Sequence, residues 1–175
     1  MNGDGATVLS LSGVTKRFGG LVAVNGVSID LESRKLNAII GPNGAGKTTL
    51  FNLISGEIAA DAGRALFEGR NVLGLKPHQV VRRGISRTLQ IKSVFGGLSV
   101  ADNVRAAVMT HEGILAPFRP AASYRRVTQR TEELIERVGL SGYRDQAASA
   151  LSYGDVALLE IALALAADPK LLLLD

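Results

Sequence analysis

The stretch "AIIGPNGAGKTTL", residues 38–50, holds the residues of this chain best suited to chemistry. Gly41, Gly44 and Gly46 allow a tight turn with backbone N–H groups facing inward. Pro42, Asn43 and Ala45 complete the loop, Lys47 adds a positive charge, and Thr48 and Thr49 add hydroxyls. A helix that starts here aims the positive end of its dipole at the same place. The spacing Gly-x-x-x-x-Gly-Lys-Thr, after an apolar run and before a helical pattern, points to a nucleotide's phosphates. Lys47 then meets the β- and γ-phosphates, Thr48 meets Mg²⁺ and Thr49 lies near the α-phosphate. A second acid must hold the Mg²⁺, at the end of a buried strand. "LLLLD" reads as that strand, and Asp175 is the candidate ligand.

Other elements must position these groups. "TVLSLSG" and "VAVNGVSIDL" alternate apolar and polar residues, as half-buried strands do. "LNAIIG" reads as a buried strand, "TTLFNLISGE" as a helix and "GRALFEGRNV" as one or two short strands. "KPHQVVRRG" reads as a short helix with a glycine stop. Ser99 and Asp102 have capping-box spacing at the start of "SVADNVRAAVM". The proline and glycine density between Thr110 and Pro120 predicts a loop. Val127, Thr131, Leu134, Ile135 and Val138 mark one face of a helix that stops at Gly139. Val156 to Ala167 predicts a nearly all-apolar helix closed by Asp168-Pro169. The order implies an α/β core with a parallel sheet, an antiparallel N-terminal part and a helical insertion around residues 95–150.

Composition sets limits. At 175 residues, 46% hydrophobic and 21% charged, the chain can build a core and is not disordered. No cysteine is present, which excludes disulfides and cysteine-ligated metals. A net charge of +4 reads as a mildly basic protein. No secretory signal is visible, and the apolar stretch from Val156 to Leu174 is too interrupted to span a bilayer. His78 and His111 read as surface residues, and Arg125, Arg126 and Arg130 as a solvated helix face.

Five features in order resemble the nucleotide-binding domain of ABC transporters. "GPNGAGKTT" is similar to the Walker A motif and "LLLLD" to Walker B. "LSYGD", Leu151 to Asp155, resembles the signature usually written LSGGQ. Gln90 matches the Q-loop glutamine, and Phe18 the aromatic that stacks on adenine. The segments "KRFGGLVAVNGVS" and "GISRTLQIKSVFGGLSVADNV" are similar to ATP-binding subunits of branched-chain amino-acid importers. The resemblance implies a P-loop ATPase core with an antiparallel β-subdomain and a helical signature subdomain at about 91–155, all within one partial cassette, residues 1–175. It implies ATP and Mg²⁺ as ligands, with Lys47, Gln90 and Asp175 catalytic and Thr48, Gln90 and Asp175 on the metal. Two cassettes would pair head to tail, with Ser152 and Gly154 touching the γ-phosphate held by the partner. Membrane permease subunits, and indirectly a solute-binding protein, would complete the assembly on the cytoplasmic face of the membrane. Nucleic acid is not an expected partner.

Three departures qualify this. Val156, Ala157, Leu158 and Leu163 stand where relatives carry Gln or Arg, an exchange of polarity for apolar surface. "ESRKLNAIIG" lacks the usual Gly-Glu turn and places Asn37 where an apolar residue is common. In the family a glutamate acting as general base follows the Walker B aspartate, and a later strand lies between the Walker A and Walker B strands. Without that strand, "LNAIIG" and "LLLLD" would leave unpaired backbone, at roughly 1–3 kcal/mol per buried group against about 5–15 kcal/mol of total stability. The expectation is a C-terminally truncated cassette with weak MgATP binding and negligible hydrolysis. The alternatives are a soluble ABC-type ATPase acting on ribosomes or DNA, and a non-catalytic nucleotide-binding fragment.

Overall fold

The computed structural model describes residues 6–88, 94–114 and 124–175. The chain divides into two compact units, Met1–Arg83 and Gly84–Asp175.

The first unit is built on a long hairpin of β1 (Thr7–Phe18) and β2 (Leu21–Glu32), joined by β3 (Ala62–Phe67) and β4 (Arg70–Asn71). The sheet order is β2-β1-β3-β4, and every pairing is antiparallel. Along β1, Leu9 and Leu11 face the core, as period-two alternation requires. The register then shifts between Leu11 and Val14, so the inward position moves from odd to even numbers and Val14 is fully buried. Side chains satisfy donors freed by the shift: Gly13 N–H donates to Ser28 Oγ at 2.9 Å and Gly26 N–H to Thr15 Oγ1 at 3.0 Å. The irregularity also admits β3. A Cβ on Gly63 would sit 2.5 Å from Val14 Cα, so only glycine passes there. Helix α1 (Lys47–Ile54) buries Leu50, Leu53 and Ile54. Helix α2 (Pro77–Arg82) begins at a proline, and Gln79 Oε1 accepts from Lys76 N–H at 2.9 Å.

"LNAIIG" differs from its predicted buried strand. Residues 36–41 are in no strand, and Leu36 and Ile40 are 96% and 92% exposed. Among the described residues no strand pairs with this segment. Backbone without a ladder partner stays in water, where it is hydrogen-bonded, even at the cost of exposing apolar side chains.

In the second unit, β5 (Ile85–Arg87) and β6 (Leu171–Leu173) run parallel, with Ile85 opposite Leu171 and Arg87 opposite Leu173. Helices α3 (Val100–His111), α4 (Arg125–Arg137) and α5 (Tyr153–Leu165) pack around one apolar cluster. Val100, Val104 and Val108 repeat every four residues on α3 and are buried. Val127, Thr131, Leu134 and Ile135 form the inward face of α4, and Leu159 and Ala162 that of α5. Buried Thr131 satisfies its hydroxyl by donating to Val127 O at 2.8 Å. The predicted loop between Thr110 and Pro120 falls partly on α3, which runs to His111; residues 115–120 lie outside the described set.

Buried Asn103 and the Ser99 cap fix the start of α3. Asn103 Oδ1 accepts from Phe95 N–H at 2.8 Å, while its amide donates to Phe95 O and Ser99 O. Ser99 Oγ accepts from Asp102 N–H at 3.0 Å and donates to the Asp102 carboxylate at 2.8 Å. The Arg144 guanidinium grips Glu132 of α4 at 2.7–3.1 Å. That hydrogen bond holds the Glu132 carboxyl below its ordinary value of 4.5.

Two outcomes follow for the helical unit. Leu159→Ala empties a fully buried site and is expected to cost about 2–5 kcal/mol, read from urea denaturation. Glu132 titrates lower in the folded than in the unfolded chain. Its contribution is therefore present above about pH 4.5 and lost as pH falls through the depressed value. Glu132→Gln should lower the melting temperature at pH 7, and the gap from wild type should close as pH falls below 4.5 and through the depressed value.

Candidate functional site

The loop from Gly41 to Gly46 leads directly into α1. Gly44 and Gly46 take φ of 82° and 86°, in the left-handed region. At Gly46 the constraint is doubled, because a Cβ there would lie 2.2 Å from the Ala23 carbonyl oxygen of β2. The loop closes on itself through Ala45 N–H to Pro42 O at 3.2 Å, and α1 opens with Leu50 N–H to Gly46 O at 2.8 Å. Lys47 Nζ donates to Gly41 O at 2.7 Å and Pro42 O at 2.9 Å. The first turn of α1 carries no acidic residue and no side-chain cap. Helix geometry leaves its first N–H groups without intrahelical acceptors. Thr48 is exposed and Thr49 half-buried in that turn. A cation, two hydroxyls and a helix start on one short loop fit a polyphosphate. Between β2 and the loop lies a cavity of about 320 Å³, lined by Val24, Val27, Ile39, Ile40 and Leu50 among others.

Phe18 ends β1 opposite Leu21 and is 48% exposed, so its ring keeps surface for a stacking partner. Lys16 Nζ lies 5.4 Å from the ring centroid. The same ammonium pairs with Asp61 at 3.1 Å. The Arg17 backbone N–H, with Lys16, holds the Asp61 carboxyl below the usual carboxylate range.

Ser152 is the N-cap of α5 in the second unit. Its Oγ accepts from Asp155 N–H at 3.2 Å and donates to Asp155 Oδ2 at 2.6 Å. Gly154 lies in the first turn, and Tyr153 beside it is 94% exposed. Asp155 stands where the signature resemblance has glutamine, and its carboxylate faces the helix N-terminus. The readable signal for this arrangement is the Ser-x-x-Asp spacing, shared with Ser99 and Asp102. The apolar departures divide into two kinds. Leu158 and Leu163 pack against the helical core, where apolar character is what the site requires. Val156 and Ala157 instead line a cavity of about 490 Å³ with Leu151 and Tyr153.

Asp175 follows β6, and Arg87 Nη2 pairs with its Oδ2 at 2.6 Å. Residue type alone does not mark Arg87; the parallel register that brings it beside Leu173 does. Asp175 shares the lining of a cavity of about 440 Å³ with Tyr153 and Ala157 of α5. Gln90 lies outside the described residues. Among the described residues no cluster of three or more His, Cys, Asp or Glu could hold a metal ion. No helix among them is long and apolar enough to cross a membrane.

The sequence profile of the family described as ABC transporter matches residues 24–175. The high-affinity branched-chain amino acid transport ATP-binding protein BraF of Pseudomonas aeruginosa is 36% identical, over 96% of this chain and 68% of that protein. LivG of Escherichia coli, with the same description, is 36% identical over 96% of this chain and 68% of its own length. A nucleotide-free ATP-binding cassette from an ABC transporter superposes with a TM-score of 0.82 at 30% identity, covering 97% of this chain and 69% of that one. The ADP conformation of MJ1267, an ATP-binding cassette of an ABC transporter, gives 0.77 at 30% identity, covering 95% of this chain and 67% of that one. In sequence and in fold the chain agrees with these proteins, and it belongs to the ABC transporter family as an ATP-binding cassette.

Proposed function

We propose that this chain is the ATP-binding and ATP-hydrolysing subunit of an importer for branched-chain or related amino acids. The observation that carries the reading is the phosphate loop, with its left-handed glycines and the Lys47 amine resting on the Gly41 and Pro42 carbonyls. The names of BraF and LivG support the solute class.

Each residue then has a task. The loop from Gly41 to Gly46 wraps the phosphates, with backbone N–H groups from Asn43, Gly44, Ala45 and Gly46 as donors and Pro42, which has no N–H, shaping the turn. Lys47 exchanges two neutral carbonyl acceptors for anionic phosphate oxygens, which form stronger bonds. Thr49 lies near the α-phosphate, and Phe18 stacks on adenine. Thr48, Gln90 and Asp175 hold Mg²⁺, which when bound neutralises charge building on the phosphate oxygens. Gln90 also orients the attacking water. Ser152 and Gly154 serve the γ-phosphate held by a partner cassette. Closure of two cassettes around ATP, and their release after hydrolysis, drive permease subunits in the membrane, fed by a solute-binding protein. The subunit works on the cytoplasmic face, held there by the permease.

The Ser152 hydroxyl must leave Asp155 before it can donate to a phosphate, and the Asp155 carboxylate repels the same anion. Asp155→Asn is therefore expected to tighten ATP-dependent self-association about tenfold, measured by analytical ultracentrifugation. Lys47→Met should weaken ATP binding about ten- to hundredfold in a fluorescent-nucleotide titration, with an unchanged circular dichroism spectrum. Capture from cells tests the transport role. Recovery of membrane permease subunits is expected, and recovery of ribosomes or DNA instead would overturn it.

A further inference from the structure

Asp175 has a built-in counter-ion. Arg87 Nη2 donates to Asp175 Oδ2 at 2.6 Å, and the two side chains are only 9% and 11% exposed. The backbone explains why they meet. Arg87 lies opposite Leu173 in the parallel β5–β6 pair. Asp175 lies two residues beyond Leu173, and the long arm of Arg87 reaches past its own strand partner to the carboxylate. Hydrogen bonding continues past the strand end, where Thr88 N–H donates to Leu173 O at 3.0 Å. The cavity of about 440 Å³ beside the pair gives a ligand access to it, with Thr88, Glu160 and Asp175 among its lining residues.

This arrangement changes what a cation meets. A carboxylate shielded from water is costly to ionise without a counter-charge, and a guanidinium stays charged at every working pH. Accepting from Arg87 does not exhaust the carboxylate, which has about four lone-pair sites. Arg87 repels a bare divalent cation, yet it attracts a cation that arrives on a nucleotide polyphosphate, because that complex is a net anion.

We propose that Arg87 is a positioning residue for Asp175. It orients the carboxylate and suppresses cation binding until the cation comes with a nucleotide. The inference rests on the assignment of Asp175 as a Mg²⁺ ligand made above.

Mn²⁺ binding to the full chain, followed by electron paramagnetic resonance with and without a non-hydrolysable ATP analogue, tests it. Without nucleotide, Arg87→Met should bind Mn²⁺ about tenfold more tightly than wild type, since the repelling charge is gone. Arg87→Lys, which keeps the charge, should stay within about threefold of wild type. Adding Asp175→Asn to Arg87→Met should remove the gain. Circular dichroism reports whether each variant folds. Should Arg87→Met fail to fold, Arg87→Gln removes the charge while keeping a donor for the carboxylate, and the same gain is expected of it. Wild-type affinity in the folded charge-removing variants, with Mn²⁺ binding still dependent on Asp175, overturns the role of Arg87 and leaves the ligand assignment intact. If Asp175→Asn leaves Mn²⁺ binding in the presence of the analogue unchanged, the ligand assignment falls and this inference with it.

Discussion

Backbone N–H and C=O groups that leave water must find partners, and that requirement sorts this chain segment by segment. β1 is flanked by β2 on one side and β3 on the other, so its backbone is paired along both edges. Where the β1–β2 register slips, Ser28 and Thr15 hydroxyls take the displaced donors. Residues 36–41 have no strand beside them among the described residues and keep their backbone in water, with Leu36 and Ile40 exposed. The start of α1 is the informative exception. Its N-cap is a left-handed glycine with no side chain to donate to, and no acid lies in the first turn. Helices α3 and α5 instead cap themselves with a serine hydroxyl.

The contrast with α3 and α5 makes the point sharper. Both begin with serine and place aspartate three residues on, and in both the hydroxyl and the carboxylate bond each other over the first turn. A helix end satisfied in this way is stable but already holds a negative charge. At α3 that is a structural cap supported by Asn103. At α5 the same cap falls on the segment from Leu151 to Asp155.

Charge is handled locally throughout. Lys16 serves both the Phe18 ring and Asp61, Arg144 grips Glu132, and Arg87 accompanies Asp175. In each case a long cationic arm reaches a carboxylate from a different element, except where the sequence neighbours already supply one. These pairings tie elements together, and at Asp61 and Glu132 they keep carboxylates ionised at pH values where unpaired ones would protonate.

Much of the architecture was legible in one dimension. The glycine and lysine spacing from Gly41 to Lys47, the inward face of α4 from Val127 to Ile135 and the cap at Ser99 are local, and local geometry follows from residue type and period. The inward face of β1 was not legible past Leu11, because one register shift reverses the alternation, and a pattern of residue types does not announce a shift. "LNAIIG" misled for a related reason: apolar composition fits a strand, but a strand exists only with a neighbour to bond. Leu158 and Leu163 looked like lost surface charge until the helical core was seen around them. By itself, then, the sequence determined the glycine and lysine spacing of the loop, the cap at Ser99 and the inward face of α4, since those depend on contacts a few residues apart. Tertiary structure alone decided that Arg87 meets Asp175 and that Gly46 must clear Ala23, because both depend on strands and loops far apart in the chain arriving at one place.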